Sequence, residues 1–414
     1  MKISSYSVLS ATAVVVGLCA LPSGAQKRIY YAAKPIPASS NEMRPGHGHT
    51  NLEIVRTSTV PRLGARPMWG LGPGGGVSPA QLLTFYNIKA VVGANAIALI
   101  DGYDNGNILA DFNGFSAQFN LPKETSTHAT AATNKVFQVV YQNNQKPPTS
   151  LGSEGWDIEE DLDTQWAHAM APNAKIYVVE TQDDSLDNLL AGIDIATKLV
   201  GVKEVSNSWS YGEGYFDSAS DEIAEDIHFP TGKGVVYFAS AGDDGAFYGL
   251  GYPAASPNVV AVGGTTDISD NNGNLITHWG WESGGGGVSI YEPVPSYQIG
   301  KPNTDPVYRS NPDVSAIADP YTGVCVYASY YYVDDGDTDW IVVGGTSVSC
   351  PVIAGLTNSA GHFYADSPTE LLHIYNRREG ADFTDVLTGW NGYFCLQGWD
   401  FVTGVGVPNG LLGL

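Results

Sequence analysis

Cysteine is scarce in this 414-residue chain: there are four, and Cys19 lies in an apolar N-terminal stretch. The other three, Cys325, Cys350 and Cys395, are too few and too scattered for a disulfide framework or a cysteine zinc site. In an oxidising compartment two of them can pair and leave one free thiol, and spacing does not choose which. Basic residues are scarce as well. Lys and Arg number 20 against 43 Asp and Glu, a formal net charge of -23. That balance argues against nucleic acid and anionic membranes as partners. After the N-terminal stretch no segment approaches the roughly 20 apolar residues of a membrane span.

Apolar residues (43%) and glycine (49 residues) are plentiful. The chain can therefore bury a large core, as one α/β domain of unusual size or two ordinary ones. The acidic excess suits work in acid, where protonation of carboxylates at about pH 4 relieves self-repulsion.

The chain opens with Lys2, an apolar run "VLSATAVVVGLCALP" and the small residues "SGA" before Gln26, which read as a signal peptide over 1–25. The expected product is a soluble exported protein, extracellular or periplasmic, and a monomer. Residues 26–77 are rich in Gly and Pro and read as an irregular leader without its own core. From Ser78 the texture changes. "SPAQLLTFYNI" predicts a capped helix, and "AIALIDGYDNG" a continuous apolar strand ending in an acidic turn. Further apolar strands ("KVFQVVY", "AKIYVVE", "GVVYFASAGDDG", "NVVAVGGTT") alternate with helical segments such as "SLDNLLAGIDIATKLV". That alternation predicts an α/β fold, a parallel sheet with helices on both faces, and a site beyond the carboxyl ends of the strands.

The segment "GGTSVSCPVIAG" places Ser347 in a tight loop that opens a helix, where the dipole favours developing negative charge. A nucleophilic serine needs a base. None of the histidines lies in a His-Gly-Thr-His segment; "HGHT" at 47–50 falls in the leader, and His168 points about 180° from Glu159 on a helix. Carboxylates are the other candidates. In "EGWDIEEDLDTQWAHAMAP", Glu159 and Asp163 are four apart and share a helix face. Two carboxyls that close tend to hold one proton between them, so Glu159 can take the serine proton with Asp163 orienting it. In "FASAGDDG", Asp243 follows an apolar strand, and as a protonated acid it can donate to an oxyanion.

Taken in order, "IALIDGYDNG", "EEDLDTQWAHAMAPNAKI", "VSNSWS", "FASAGDDG", "YPAASPNVVAVGGT", "SGGGGVS", "PDVSAIADP", "GGTSVSCP" and "GWDFVTGVGVP" resemble the sedolisin (serine-carboxyl peptidase) family across 78–414. The resemblance implies a subtilisin-like fold and acid peptidase activity on polypeptides. It implies Ser347 as nucleophile, Glu159 as base, Asp163 as its partner and Asp243 as oxyanion donor. Asp101, at the end of a strand, is implied to be structural or near the substrate. Ser208 and Trp209 match the edge that holds peptide as an added strand. A Ca²⁺ site is implied at Asp385 and Asp400, with backbone carbonyls of Val386, Leu396 and Gly398. Three features depart from the family: Leu396 replaces a glycine, "SWS" replaces "SWG", and some fifty residues stand where a large folded prodomain is usual. Two rival readings follow, a catalytically silent secreted binding protein of the same fold and a neutral hydrolase with an unrecognised histidine.

Overall fold

A mostly parallel sheet organises the chain in the computed structural model, which describes residues 30–33, 36–41, 43–58, 70–150, 155–329, 339–378 and 380–414. The parallel strands run, in spatial order, Phe137–Tyr141, Lys175–Thr181, Ala96–Gly102, Val202–Asn207, Val236–Ser240 and Val260–Ser269. Val260–Ser269 also pairs with Leu275–Gly280 antiparallel and with Val314–Ile317 parallel. The segment 1–25, read as a signal peptide, lies outside the described residues.

Continuous apolar strands are what a sheet covered on both faces requires. Ala96, Ala98 and Ile100 pack with Tyr177, Val179 and the helix Leu186–Ala196. Their alternates Ile97 and Leu99 pack with Ile176, Val178, Phe112 and Ala167, under the helices Ile108–Gln118 and Trp156–Met170. Truncating one such side chain, Ile97→Ala, is expected to cost about 2–5 kcal/mol. The predicted helix at Ser78 forms as Pro79–Phe85, capped by Ser78, which accepts from the Gln81 N–H.

The acidic helix Trp156–Met170 and the serine helix Thr346–Ala360 lie side by side on one face of the sheet. Gly355 permits this approach: a Cβ there would stand 2.6 Å from Met170 Cβ and 2.9 Å from the Ala167 carbonyl. The close crossing brings the first turns of both helices together.

The stretch 26–77 departs from the irregular leader expected of it. Its strand Glu53–Ser58 pairs with Tyr30–Ala33 on one side and with Trp340–Gly344 on the other, and Val324–Tyr327 completes a four-stranded sheet. His49–Thr50 adds to the edge strand Trp209–Gly212. Gly and Pro dominated the sequence signal and hid two short pairing segments, whose partners lie far along the chain. Cys325, Cys350 and Cys395 are all buried free thiols, so the pairing an oxidising compartment would allow is not formed. Among the described residues no helix is long and apolar enough to cross a membrane.

Candidate active site

Ser347 is the second residue of its helix and is fully buried. The turn before it depends on Gly345, whose φ of 106° disfavours any side chain. A Cβ at that position would also stand 2.1 Å from the Asn51 carbonyl and 2.6 Å from Asp243 Oδ2.

Ser347 Oγ donates to Glu159 Oε2 at 3.0 Å, and the Ser208 carbonyl lies 3.1 Å from the same hydroxyl. Glu159 and Asp163 occupy successive turns of the acidic helix, both with no exposed surface. Ser208 Oγ donates to Asp163 Oδ1 at 2.7 Å, while Glu159 Oε1 and Asp163 Oδ2 receive no donor. Burial, followed by the charges of Asp163 and Asp101, pushes the Glu159 carboxyl well above its ordinary range. Burial and then Asp101 do the same to Asp163. A proton retained on one of the two would supply a donor that the unpartnered oxygens lack. Asp101 ends its strand buried under the acidic helix, raised to about 8 by burial, and it faces this pair.

Asp243 lies on the other side of the serine. Its Oδ1 accepts from the backbone N–H and the hydroxyl of Thr346, each at 2.8 Å, and Oδ2 is buried without a partner. Burial, then the negative charge of Glu53, raises its carboxyl well above the usual range. A protonated Oδ2 is the form that burial favours, and it is a donor.

No histidine hydrogen-bonds Ser347 or Glu159 among the described residues. His168 points its Nε2 at the Pro122 carbonyl, 2.8 Å away, packs at a tilt against Phe112, and is held neutral by burial, which lowers it to about 4. His47 pairs with Asp184 at 2.8 Å, and His49 Nδ1 meets its neighbour's carbonyl at Thr50.

Sequence reasoning missed what crosses this site. The backbone N–H of Asn51 donates to Ser347 Oγ at 3.1 Å, and the Asn51 carbonyl accepts from the Ser347 N–H at 3.0 Å. Upstream, His49 and Thr50 pair antiparallel with Ser210 and Trp209; downstream, Glu53 pairs with Gly344. The leader thus lies as an added strand along the edge where Ser208 and Trp209 sit. Trp209 also serves the core, its side chain fully buried. A cleft of about 270 Å³ remains beside the leader, lined in part by Asn51, Leu52, Glu53, Asp243, Asp244 and Tyr248. The β-branched residues Ile54, Val55 and Thr57 in "EIVRTS" were the available signal.

The residues expected to hold calcium come together in the C-terminal loops. Asp385 Oδ2 accepts from the Gly398 N–H and Asp400 Oδ2 from the Leu396 N–H, each at 2.9 Å. Asp385 Oδ1 is buried without a donor. Asp400 Oδ1 already accepts from the N–H groups of Val402 and Thr403, at 2.9 and 2.8 Å, so the orphaned Asp385 Oδ1 is the oxygen a hard cation would satisfy.

A family model described as "Subtilase family" matches residues 112–363. The chain belongs to the subtilase family. Among subtilase relatives it is similar to kumamolisin of Bacillus sp. (strain MN-32), 30% identical over 348 residues, covering 76% of this chain and 58% of kumamolisin. It is also 26% identical over 406 residues to sedolisin of Pseudomonas sp. (strain 101), covering 86% of this chain and 63% of that protein. The chain thus spans about three fifths of the length of these two relatives. The solved structure of Pseudomonas sedolisin complexed with two molecules of pseudo-iodotyrostatin superposes with a TM-score of 0.65 at 25% identity, over 81% of this chain and 95% of that one. The expected subtilisin-like α/β fold is therefore the fold of this subtilase.

Proposed function

We propose that this chain is a secreted, acid-acting serine-carboxyl endopeptidase. The observation that carries the reading is the 3.0 Å contact from Ser347 Oγ to Glu159 Oε2, with no histidine hydrogen-bonded to either group among the described residues. Ser347 Oγ attacks the peptide carbonyl as its proton passes to Glu159, and Glu159 then gives that proton to the leaving amine. Water reverses the sequence to release the acyl group, with Asp163 sharing the proton throughout. The Ser347 N–H and protonated Asp243 Oδ2 face the developing oxyanion. Polypeptide substrates would take the path of the leader, along Trp209 and past Ser347. That path continues on both sides of the serine, which favours internal bonds over chain ends. Ca²⁺ held by Asp385, Asp400 and the carbonyls of Val386, Leu396 and Gly398 would neutralise the carboxylates and brace the C-terminal loops. Cleavage of a denatured protein from pH 3 to 8, with Ser347→Ala and Glu159→Gln beside the parent, tests the reading. An acid optimum lost in both variants supports it; no cleavage at any pH, with Ca²⁺ present and the leader displaced, overturns it.

A further inference from the structure

Behind the Glu159–Asp163 pair lies a second group of carboxyls that this chemistry does not use. The register of three parallel strands aligns Tyr141, Glu180 and Asp101 in one row. Strand alternation directs all three to the face that carries Phe137, Val139, Ile97, Leu99, Ile176 and Val178, the face covered by the acidic helix. On that helix Glu160 stands seven residues before Ala167, which packs on the same face, so Glu160 points down at the row.

Glu160, Glu180 and Asp101 are all fully buried, and none of their six carboxyl oxygens receives a hydrogen bond. Buried carboxylates without donors cannot all stay ionised. Glu160 is faced by Glu180, Asp101, Asp161 and Asp104; Glu180 is faced by Asp104, Lys146, Asp101 and Glu160. Asp161 in turn faces Asp111 and Asp157. Burial first, then these like charges, raises both glutamates well above the carboxylate range. The row ends at the surface. Tyr141 Oη donates to Asp104 Oδ1 at 3.2 Å, and Asp104 Oδ2 pairs at 3.0 Å with Lys146, whose side chain is 55% exposed.

We propose that Glu160 and Glu180, joined to the Glu159–Asp163 pair through Asp101, exchange protons between that pair and solvent at Asp104 and Lys146. The need for such a route is geometric. With a strand across the cleft, as Asn51 lies here, Ser347, Glu159 and Asp163 have no surface open to water. Each transfer breaks one O–H bond on the donor carboxyl and forms one on its acceptor; Asp104, itself buried, takes its replacement proton from the Lys146 ammonium, whose N–H bond re-forms from solvent. Glu160 and Glu180 are positioning residues: they act through Glu159 and touch no substrate.

The inference rests on the peptidase reading, and the experiment separates the two. Glu160→Gln and Glu180→Gln keep shape and a neutral polar group but cannot pass a carboxyl proton. We expect kcat for a peptide substrate to fall about tenfold at unchanged KM, short of the 10²–10⁴ typical of losing a base. The solvent deuterium isotope effect on kcat should rise, and Glu180→Asp should restore part of the rate. A parent enzyme that is inactive, or one that keeps its rate in Glu159→Gln, sinks the peptidase reading. An active parent silenced by Glu159→Gln, with kcat, pH profile and isotope effect unchanged in folded Glu160→Gln and Glu180→Gln, overturns the relay alone. Should either glutamine variant fail to fold at pH 4, Asp104→Asn and Lys146→Ala at the exposed end decide by the same isotope effect, and no change there overturns the relay.

Discussion

Asn51 meets Ser347 with both of its main-chain polar groups, its N–H on the serine Oγ at 3.1 Å and its carbonyl on the serine N–H at 3.0 Å. Glu159 meanwhile receives the hydroxyl proton at 3.0 Å. Ser347 is therefore engaged on both sides by protein, and on the proposed peptidase reading residues 49–53 hold the place a substrate would need.

That arrangement predicts latency. The leader is anchored upstream at Asp184, which takes Arg44 at 3.2 Å, His47 at 2.8 Å and the Tyr103 hydroxyl at 3.1 Å. Asp184→Ala should loosen the anchor without touching a reacting group. Arg44 and His47 are partly exposed, so the ion pairs contribute only modestly. We expect the intact chain to react with a serine-directed fluorophosphonate several-fold faster in Asp184→Ala than in the parent. Equal rates would mean that the leader is held by its strand pairing alone.

The two carboxyl sites predict a bell-shaped pH profile whose limbs respond to different substitutions. The acid limb requires the Glu159–Asp163 pair to lose one proton, and the alkaline limb requires Asp243 to keep its own. Asp243→Asn cannot ionise and still presents N–H groups. It should therefore keep most of kcat in acid and shift the alkaline limb upward, whereas Asp243→Ala, which removes the donor, should lower kcat by about 10²–10³. Asp163→Asn should instead alter the acid limb. Measuring kcat/KM against pH for both variants checks the assignment; an unmoved alkaline limb in Asp243→Asn contradicts it.

The sequence was most legible where local pattern and burial agree. Continuous apolar runs such as "IALI" and "KIYVV" become central strands because both of their faces are covered. The four-residue spacing of Glu159 and Asp163 becomes one buried helix face because the pattern is a property of the helix alone. What could not be read depends on partners distant in sequence. His49–Thr50 is a strand only because Trp209–Ser210 lies beside it, and Asn51 is a site residue only because Ser347, 296 positions later, meets it. Asp101 was read as structural or near the substrate. The strand register sets it between two groups of carboxyls, and no local motif encodes that.

The orphaned Asp385 Oδ1 predicts cation-dependent stability. On the proposed Ca²⁺ reading, chelation should lower Tm and Ca²⁺ should restore it. Asp385→Ala should remove the response to Ca²⁺ while leaving the acidic helix and the serine helix intact. Thermal denaturation with EDTA, then with excess Ca²⁺, measures this directly. A Tm that ignores both additions would assign the two aspartates to turn formation.

Stability should also fall as pH rises. Burial raises Glu370 and Glu292 to about 8, and Asp111 and Asp226 to about 6. In the unfolded chain such carboxyls ionise at about pH 4. Between those limits the unfolded state has released protons that the folded state retains, so folding loses free energy with each step in pH. The contribution of these groups is complete below about pH 4 and is lost as pH climbs through 6 to 8. Glu124 opposes them at the acid end. Against the pull of burial, backbone N–H groups of Ser126, Lys135, Val136 and Phe137 hold it at about 2, so its contribution is lost only as pH falls toward that value. Urea unfolding from pH 3 to 8 should therefore show a maximum in mild acid and a steady decline above it. Glu370→Gln, which cannot ionise, should flatten that decline, and stability that instead rose from pH 4 to 7 would show that the buried carboxyls ionise without cost.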